Sequence, residues 1–148
     1  MSVPVEERFA LEDLATAYCF RVDALDDLQA LLDLFTDDAI LDISDIGLAR
    51  MQGKEEITQF YIGVFNDMTH HQHYVSNFRI ESYAGEQAVF WVYVNGLGQS
   101  HDGNTVDVHV RYRVEAQKQG GQWRLKEMRI LTAMPMPASL TEIHADRT

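Results

Sequence analysis

Cysteine is almost missing from this chain of 148 residues: Cys19 stands alone, which excludes an internal disulfide and any structural zinc site built on several thiolates. A reducing, cytoplasmic setting is the expectation. Long apolar runs are missing too. Hydrophobic residues make up 46%, but charge interrupts them every few positions, so no membrane span is expected. Basic residues are scarce. Twelve Lys+Arg against 23 Asp+Glu give a formal charge of −11, which repels phosphate backbones and anionic lipid over a Debye length of roughly 8 Å. Neither nucleic acid nor a membrane is an expected partner. The first twenty residues carry acids early and have no basic start followed by an apolar stretch, so a signal peptide is not expected.

What is present divides by period. At 100° per residue, Leu11, Leu14, Ala15, Tyr18, Val22 and Leu25 fall on one stripe and predict a first helix. Asp26 and Asp27 are placed to cap a second, DLQALLDLF, with an apolar face of Leu28, Leu31, Leu32 and Phe35. Residues 40–43 read as a short strand, and KEEITQFYIGVF after Gly53 as a third helix with acids in its first turn. Beyond that the period changes to two. Residues 73–81, 87–95, 105–117 and 122–132 are rich in Val, Ile, Phe, Tyr and Trp, and the turn signals YAGE, GLGQSHDGN and KQGGQ separate them. In 105–116 the residues Val106, Val108, Val110, Tyr112, Val114 and Ala116 share one face, and Asp107, His109, Arg111, Arg113 and Glu115 the other. Helices followed by an antiparallel meander define an α+β fold in one domain, with a core over about 5–132 and a tail over 133–148. That tail, MPMPASLTEIHADRT, either drapes over the mouth of the roll or is disordered.

The stretch THHQHYVSNFRI places His70, His71 and His73 within four positions. A catalytic metal usually needs three protein ligands, and the nearest downstream carboxylate on that strand, Glu81, lies eight residues from His73, so no metal is expected. His109 belongs to the charged face. His101 in the turn and His144 in the tail are expected to be solvated. Strand parity separates His70 from His71 and His73, leaving His71 or His73 as a base facing an interior. Parity also poses a conflict. If His73 points inward, Val75, Asn77 and Arg79 follow it, yet Tyr74, Ser76, Phe78 and Ile80 make the better apolar face. Asp23, near the end of the first helix, is a carboxylate that the helix dipole disfavours, and Tyr18 on the buried stripe has a hydroxyl that needs a partner.

The run LEDLATAYCFRVDALDDLQALLDLFTDDA, then GKEEI, HYVSNFRIE and VRYRVEAQKQGGQWRLKEMRI, resembles the SnoaL-like proteins of the nuclear transport factor 2-like superfamily, over nearly the whole chain. The resemblance is nearest to its scytalone dehydratase and bile acid 7α-dehydratase branch. It implies a cone-shaped roll: about three N-terminal helices on a strongly curved, mixed, mostly antiparallel sheet that encloses a pocket. It implies self-association as a homodimer or homotrimer through the outer sheet face. The branch's catalytic His and Asp match His73 and Asp23, and a Tyr five residues before the Asp matches Tyr18. Asn77 shares the face of His73 on this alignment. Scytalone dehydratase has a second His where this chain has Gly98 or a neighbour, and an Asn where it has Tyr112.

The implied activity is that of a cofactor-independent lyase. His73, oriented by Asp23, removes a proton beside a carbonyl, and no metal or organic cofactor is required. The expected partner is a small hydrophobic cyclic or aromatic hydroxy-ketone, in a pocket lined by Asn77, Val75, Phe60, Tyr61, Val108, Val110 and Tyr112, with Met134 a further candidate. Isomerisation or polyketide cyclisation would start from the same dyad. The alternative class is a non-catalytic ligand-binding or scaffold subunit, like the small subunit of ring-hydroxylating dioxygenases. Asp23 and His73 more than about 4 Å apart would favour that alternative.

Overall fold

The computed structural model describes residues 2–144. Helix α1 (Val5–Ala24) begins after Pro4 and buries Leu11, Leu14, Ala15, Tyr18, Cys19 and Val22, which is the stripe read from the sequence with Cys19 added and without Leu25, which follows the helix and is half-buried. It stops where Leu25 turns left-handed, at φ 56°. Asp27 caps the short α2 (Leu28–Leu32) by accepting the Ala30 N–H at 3.0 Å. Strand β1 (Phe35–Asp42), a 3-10 turn (Ser44–Ile46) and β2 (Arg50–Gln52) precede α3 (Lys54–Asp67). The meander follows as β3 (Met68–Tyr83), β4 (Gln87–Ser100), β5 (Thr105–Gln119) and β6 (Gln122–Thr132), and α4 (Ala138–His144) closes the described chain.

The strands form one curved, unclosed sheet in the order β2-β1-β6-β5-β4-β3. β1 runs parallel to β6 and every other pair is antiparallel. The sheet is mixed because the chain enters it at β1, passes through α3, and returns by hairpins until β6 meets β1. Its concave face packs on α1 and α3, with Phe35, Phe90, Leu125 and Met128 sealed between them. The β5 alternation holds: Val106, Val110, Tyr112, Val114 and Ala116 are buried, whereas Asp107, His109 and Arg111 are exposed.

Three segments differ from the sequence reading. The second helix, expected to run to Phe35, ends at Leu32, and the strand expected at 40–43 begins at Phe35, because Phe35, Thr36 and Ala39 are buried in the core before the regular pairing starts at Ile40. GLGQS is strand rather than turn, so β4 reaches Ser100 and β3 reaches back to Met68, with all three histidines inside it. The tail forms α4, whose Leu140 and His144 are buried, so the solvated His144 expected from sequence is incorrect. Leu140 and Ile143 give that short helix an apolar side, and burying it offsets the cost of ordering the chain.

The parity conflict in β3 has a structural answer. Between the pairs Ser76↔Tyr93 and Arg79↔Trp91, β3 uses three steps where β4 uses two, so Asn77 is an extra residue. Asn77 sits at φ 58°, a left-handed conformation that asparagine tolerates better than most residues. The bulge reverses the alternation. His71, His73 and Val75 point inward before it, and Phe78 and Ile80 point inward after it, Phe78 against the Phe90 ring at 5.1 Å.

Candidate active site

A cavity of about 110 Å³ opens between the concave face, α1, α3 and α4. Its wall is mostly aliphatic, from Val22, Leu41, Ile43, Val64, Val108 and Ile130 among others. The polar groups in the wall are Tyr18 from α1, Tyr61 from α3, His71 and His73 from β3, Tyr112 from β5 and His144 from α4. Among the described residues no lysine, arginine or carboxylate lines it.

Asp23 stands directly behind His73. Its Oδ1 lies 2.5 Å from Nδ1 of His73, and its Oδ2 accepts the backbone N–H of the same residue at 2.9 Å. Both carboxylate oxygens are thus fixed by one residue fifty positions away. The contact fixes the tautomer: a carboxylate accepts, so Nδ1 carries the proton and Nε2 is left as the basic nitrogen. The side chains are 22% and 15% exposed, Asp23 and His73 respectively, which leaves the pair screened from bulk water but reachable.

His71 lies beside it, the two imidazoles edge to face at 5.6 Å. Its Nδ1 is 3.1 Å from the Val22 carbonyl, to which it donates. Burial holds the His71 pKa below the ordinary imidazole value, partly opposed by the Val22 hydrogen bond. Both rings find room because glycines face them across the ladder, His73 against Gly96 and His71 against Gly98. A Cβ at Gly96 would lie 3.2 Å from Cδ2 and Nε2 of His73, and one at Gly98 3.0 Å from Cδ2 of His71.

The Tyr18 and Tyr61 hydroxyls share a hydrogen bond of 2.6 Å, and the Tyr112 ring stands edge-on to Tyr18 at 5.9 Å. Burial raises the pKa of all three tyrosines, so they stay protonated, and one of Tyr18 and Tyr61 donates to the other. The Cys19 thiol, buried behind them and near the Asp23 charge, is pushed up to about 12 and is inert as a nucleophile. Among the described residues no group of three or more His, Cys, Asp or Glu is placed to hold a metal ion.

Of the residues singled out from sequence, the cavity brings together Tyr18, His73, Phe60, Tyr61, Val108, Val110 and Tyr112, with Asp23 behind. It does not include Val75 or Asn77, which lie with Glu12 and Phe78 in a separate cleft between α1 and β3. Asn77 is the bulge residue and is exposed, and Val75 is turned onto the helix by the curl of the strand. Met134 is 57% exposed and outside the wall. Sequence reasoning missed Gly96, Gly98, Leu140 and His144. The glycines carried a usable signal, because NGLG repeats the spacing of two in HQH, but they read as a turn.

Helices packed on a curved, unclosed six-stranded sheet are the fold of the nuclear transport factor 2-like class, also described as cystatin-like. Within it, the SnoaL-like domain model matches residues 4–129, and the chain belongs to that family. The chain is similar, at 37% identity, to a provisionally identified aromatic ring hydroxylase from Novosphingobium aromaticivorans, over 96% of this chain and 99% of that one, with a TM-score of 0.92. It is similar in fold to a provisionally identified scytalone dehydratase from the same organism, at 19% identity over 88% and 86% of the two chains and a TM-score of 0.81. A hexachlorocyclohexane dehydrochlorinase of type 2 shares the fold at 20% identity, over 90% and 91%, with a TM-score of 0.76. No functionally curated protein matches the chain. No helix among the described residues is long and apolar enough to cross a membrane.

Proposed function

We propose that the protein is a cofactor-independent lyase, a dehydratase of an uncharged, single-ring hydroxy-ketone, with His73 as the base. The observation that carries this reading is the Asp23–His73 contact of 2.5 Å at the wall of an apolar cavity. His73 reacts through Nε2, the nitrogen that faces away from Asp23. It takes the proton from the carbon beside the substrate carbonyl, and the imidazolium that forms is stabilised by Asp23. The C–H electrons become the C=C bond and the C–O bond to the β-hydroxyl breaks. The hydroxyl leaves as water, protonated by the imidazolium, by Tyr18 or through a bridging water. Tyr112 is a protonated donor for the carbonyl oxygen, whose charge grows in the transition state, and the Tyr18–Tyr61 pair, one of whose protons lies in their shared hydrogen bond, has one further proton to give, to that oxygen or to the leaving hydroxyl.

Cavity chemistry supports the substrate class. An apolar cavity of about 150 Å³ holds a benzene molecule, so about 110 Å³ favours one ring over a fused polycycle. With no lysine or arginine among the described residues of the wall, a carboxylate or phosphate would find no cationic partner there. The neighbouring dehydratase and dehydrochlorinase folds agree with a lyase.

The test is α-proton exchange of cyclohexanone in D2O by mass spectrometry, together with conversion of 3-hydroxycyclohexanone to the enone by absorbance. His73→Ala is expected to lower both rates by at least roughly 10². Equal rates for variant and parent would overturn the reading. Exchange without dehydration would point to an isomerase or cyclase using the same dyad.

A second reading is a non-catalytic subunit of an aromatic-ring-hydroxylating assembly, which shares with the 37% identical relative only the aromatic ring hydroxylation in that protein's provisional name. Absence of exchange in the parent protein, together with a stable complex with an oxygenase component, would favour it. In either case the exposed row of Asp107, His109 and Arg111 on β5 is offered as a self-association surface for a dimer or trimer. Sedimentation as a monomer at micromolar concentration would refute that.

A further inference from the structure

His71 is not accounted for by the chemistry above. It lines the same cavity, is held at 3.1 Å to a backbone carbonyl, and is given space by a glycine of its own. The carbonyl belongs to Val22, in the last turn of α1, one residue before Asp23. Helix ends leave their last carbonyls without intrahelical donors, and here Leu25 turns left-handed and takes the chain away. The hydrogen bond that reaches Val22 from outside the helix comes from His71.

We propose that His71 is a positioning residue: its Nδ1–H, bonded to the Val22 carbonyl, fixes the last turn of α1 against β3 at the height where Asp23 reaches His73. Successive helical residues rise about 1.5 Å, so a small slide of that turn moves the carboxylate off both His73 contacts at once. The two imidazoles on β3 therefore have separate tasks. His73 meets a carboxylate and takes up the substrate proton. His71 meets only a neutral carbonyl and lies in an apolar wall, so it stays neutral, and its lowered pKa agrees with that assignment. Asp23 on α1 and His73 on β3 are the titratable groups that act on it. Gly98 keeps the space beside His71 open, since a Cβ there would meet Met68 Cε at 2.6 Å and then the His71 ring at 3.0 Å.

This inference rests on the dyad reading, but its decisive measurements need no substrate. Long-range ¹H–¹⁵N spectra of the intact protein report the tautomer of each histidine. His71 is expected as the neutral form with the proton on Nδ1, and a proton on Nε2 instead would overturn the proposal. The His73 Nδ1 proton, bonded to Asp23, is expected as a far-downfield resonance. His71→Phe keeps a ring but loses the N–H, and should abolish or shift that resonance. His71→Asn, whose amide N–H stands near the position of Nδ1, should restore it. A Phe variant with the parent resonance, or Phe and Asn variants equally altered, would reduce His71 to packing and refute the assignment. On cyclohexanone exchange, His71→Phe should lower kcat by roughly 10² with little change in KM, and the Asn variant should recover most of it. If the parent protein lacks exchange activity, the dehydratase reading fails while the tautomer and resonance results still decide the role of His71.

Discussion

The front half of β3, 68–76, and its rear half, 78–83, pair with the same strand β4 and face the same side of the sheet, yet one lines a cavity and the other is core. The front presents His71, His73 and Val75 inward, opposite Gly98, Gly96 and Val94. The rear presents Phe78 and Ile80, opposite Val92 and Phe90. Glycines on β4 leave space where β3 presents His71 and His73, and Phe90 fills it where β3 presents Phe78 and Ile80. One residue, Asn77, allows both patterns on a single strand, because the bulge reverses which parity is inside. Reactive groups and packing groups can then be written in opposite phase.

The strongest way to break this comparison is to delete Asn77. One half of the strand must then show its wrong face, exposing the histidines or burying Arg79 and Glu81. We expect loss of a cooperative thermal transition, and a deletion variant melting like the parent would show that the bulge does not set the faces. Phe90→Ala removes a fully buried ring from the rear half and should cost about 3–5 kcal/mol in urea unfolding. Tyr93→Ala on the same strand, 46% exposed over Arg111, should cost less than about 1 kcal/mol. Equal costs would contradict the layering of β4.

At the front, Gly96→Ala adds a methyl 3.2 Å from His73 Nε2 and 3.3 Å from Val108. The base must shift by a few tenths of an ångström. We expect cyclohexanone exchange to fall roughly tenfold with a change in stability below about 1 kcal/mol. A large loss of stability with unchanged exchange per folded molecule would instead make Gly96 a packing residue.

The smallest effect is on the acid side. His71 is neutral in the fold with its pKa lowered by burial, so as pH falls the unfolded chain takes up its proton first. Its contribution is complete above the ordinary imidazole pKa of about 6.5 and is lost as pH falls from there toward the lowered folded value. Urea midpoints at pH 7.5 and 5.5 should therefore differ more in the parent than in His71→Asn. The same pH dependence in both would exclude His71 as a source.

Much of the fold was legible because it is written in short-range periodicity. The Leu11-to-Val22 stripe, the Asp27 cap and the β5 alternation need only a few neighbouring residues to be read, and all three stand in the structure. The candidate site was legible in part. His73 and Asp23 were indicated by resemblance, and they lie in contact. The rest depended on partners remote in sequence. Asn77 could be read as a lining residue because alternation carries no sign of an extra residue on one strand. Gly96 and Gly98 gain meaning only from the register that sets them against His73 and His71.

The sequence by itself therefore determined the helix faces, the antiparallel meander, the absence of an internal disulfide and the acidic surface, since composition and local period carry these. Tertiary structure decided which histidine meets a carboxylate, where β3 changes face, and that α4 brings Leu140 and His144 to the cavity. The reason is physical: periodicity says which side of an element is apolar. Register, bulges and contacts between residues fifty positions apart are settled only when several elements compete for the same buried space.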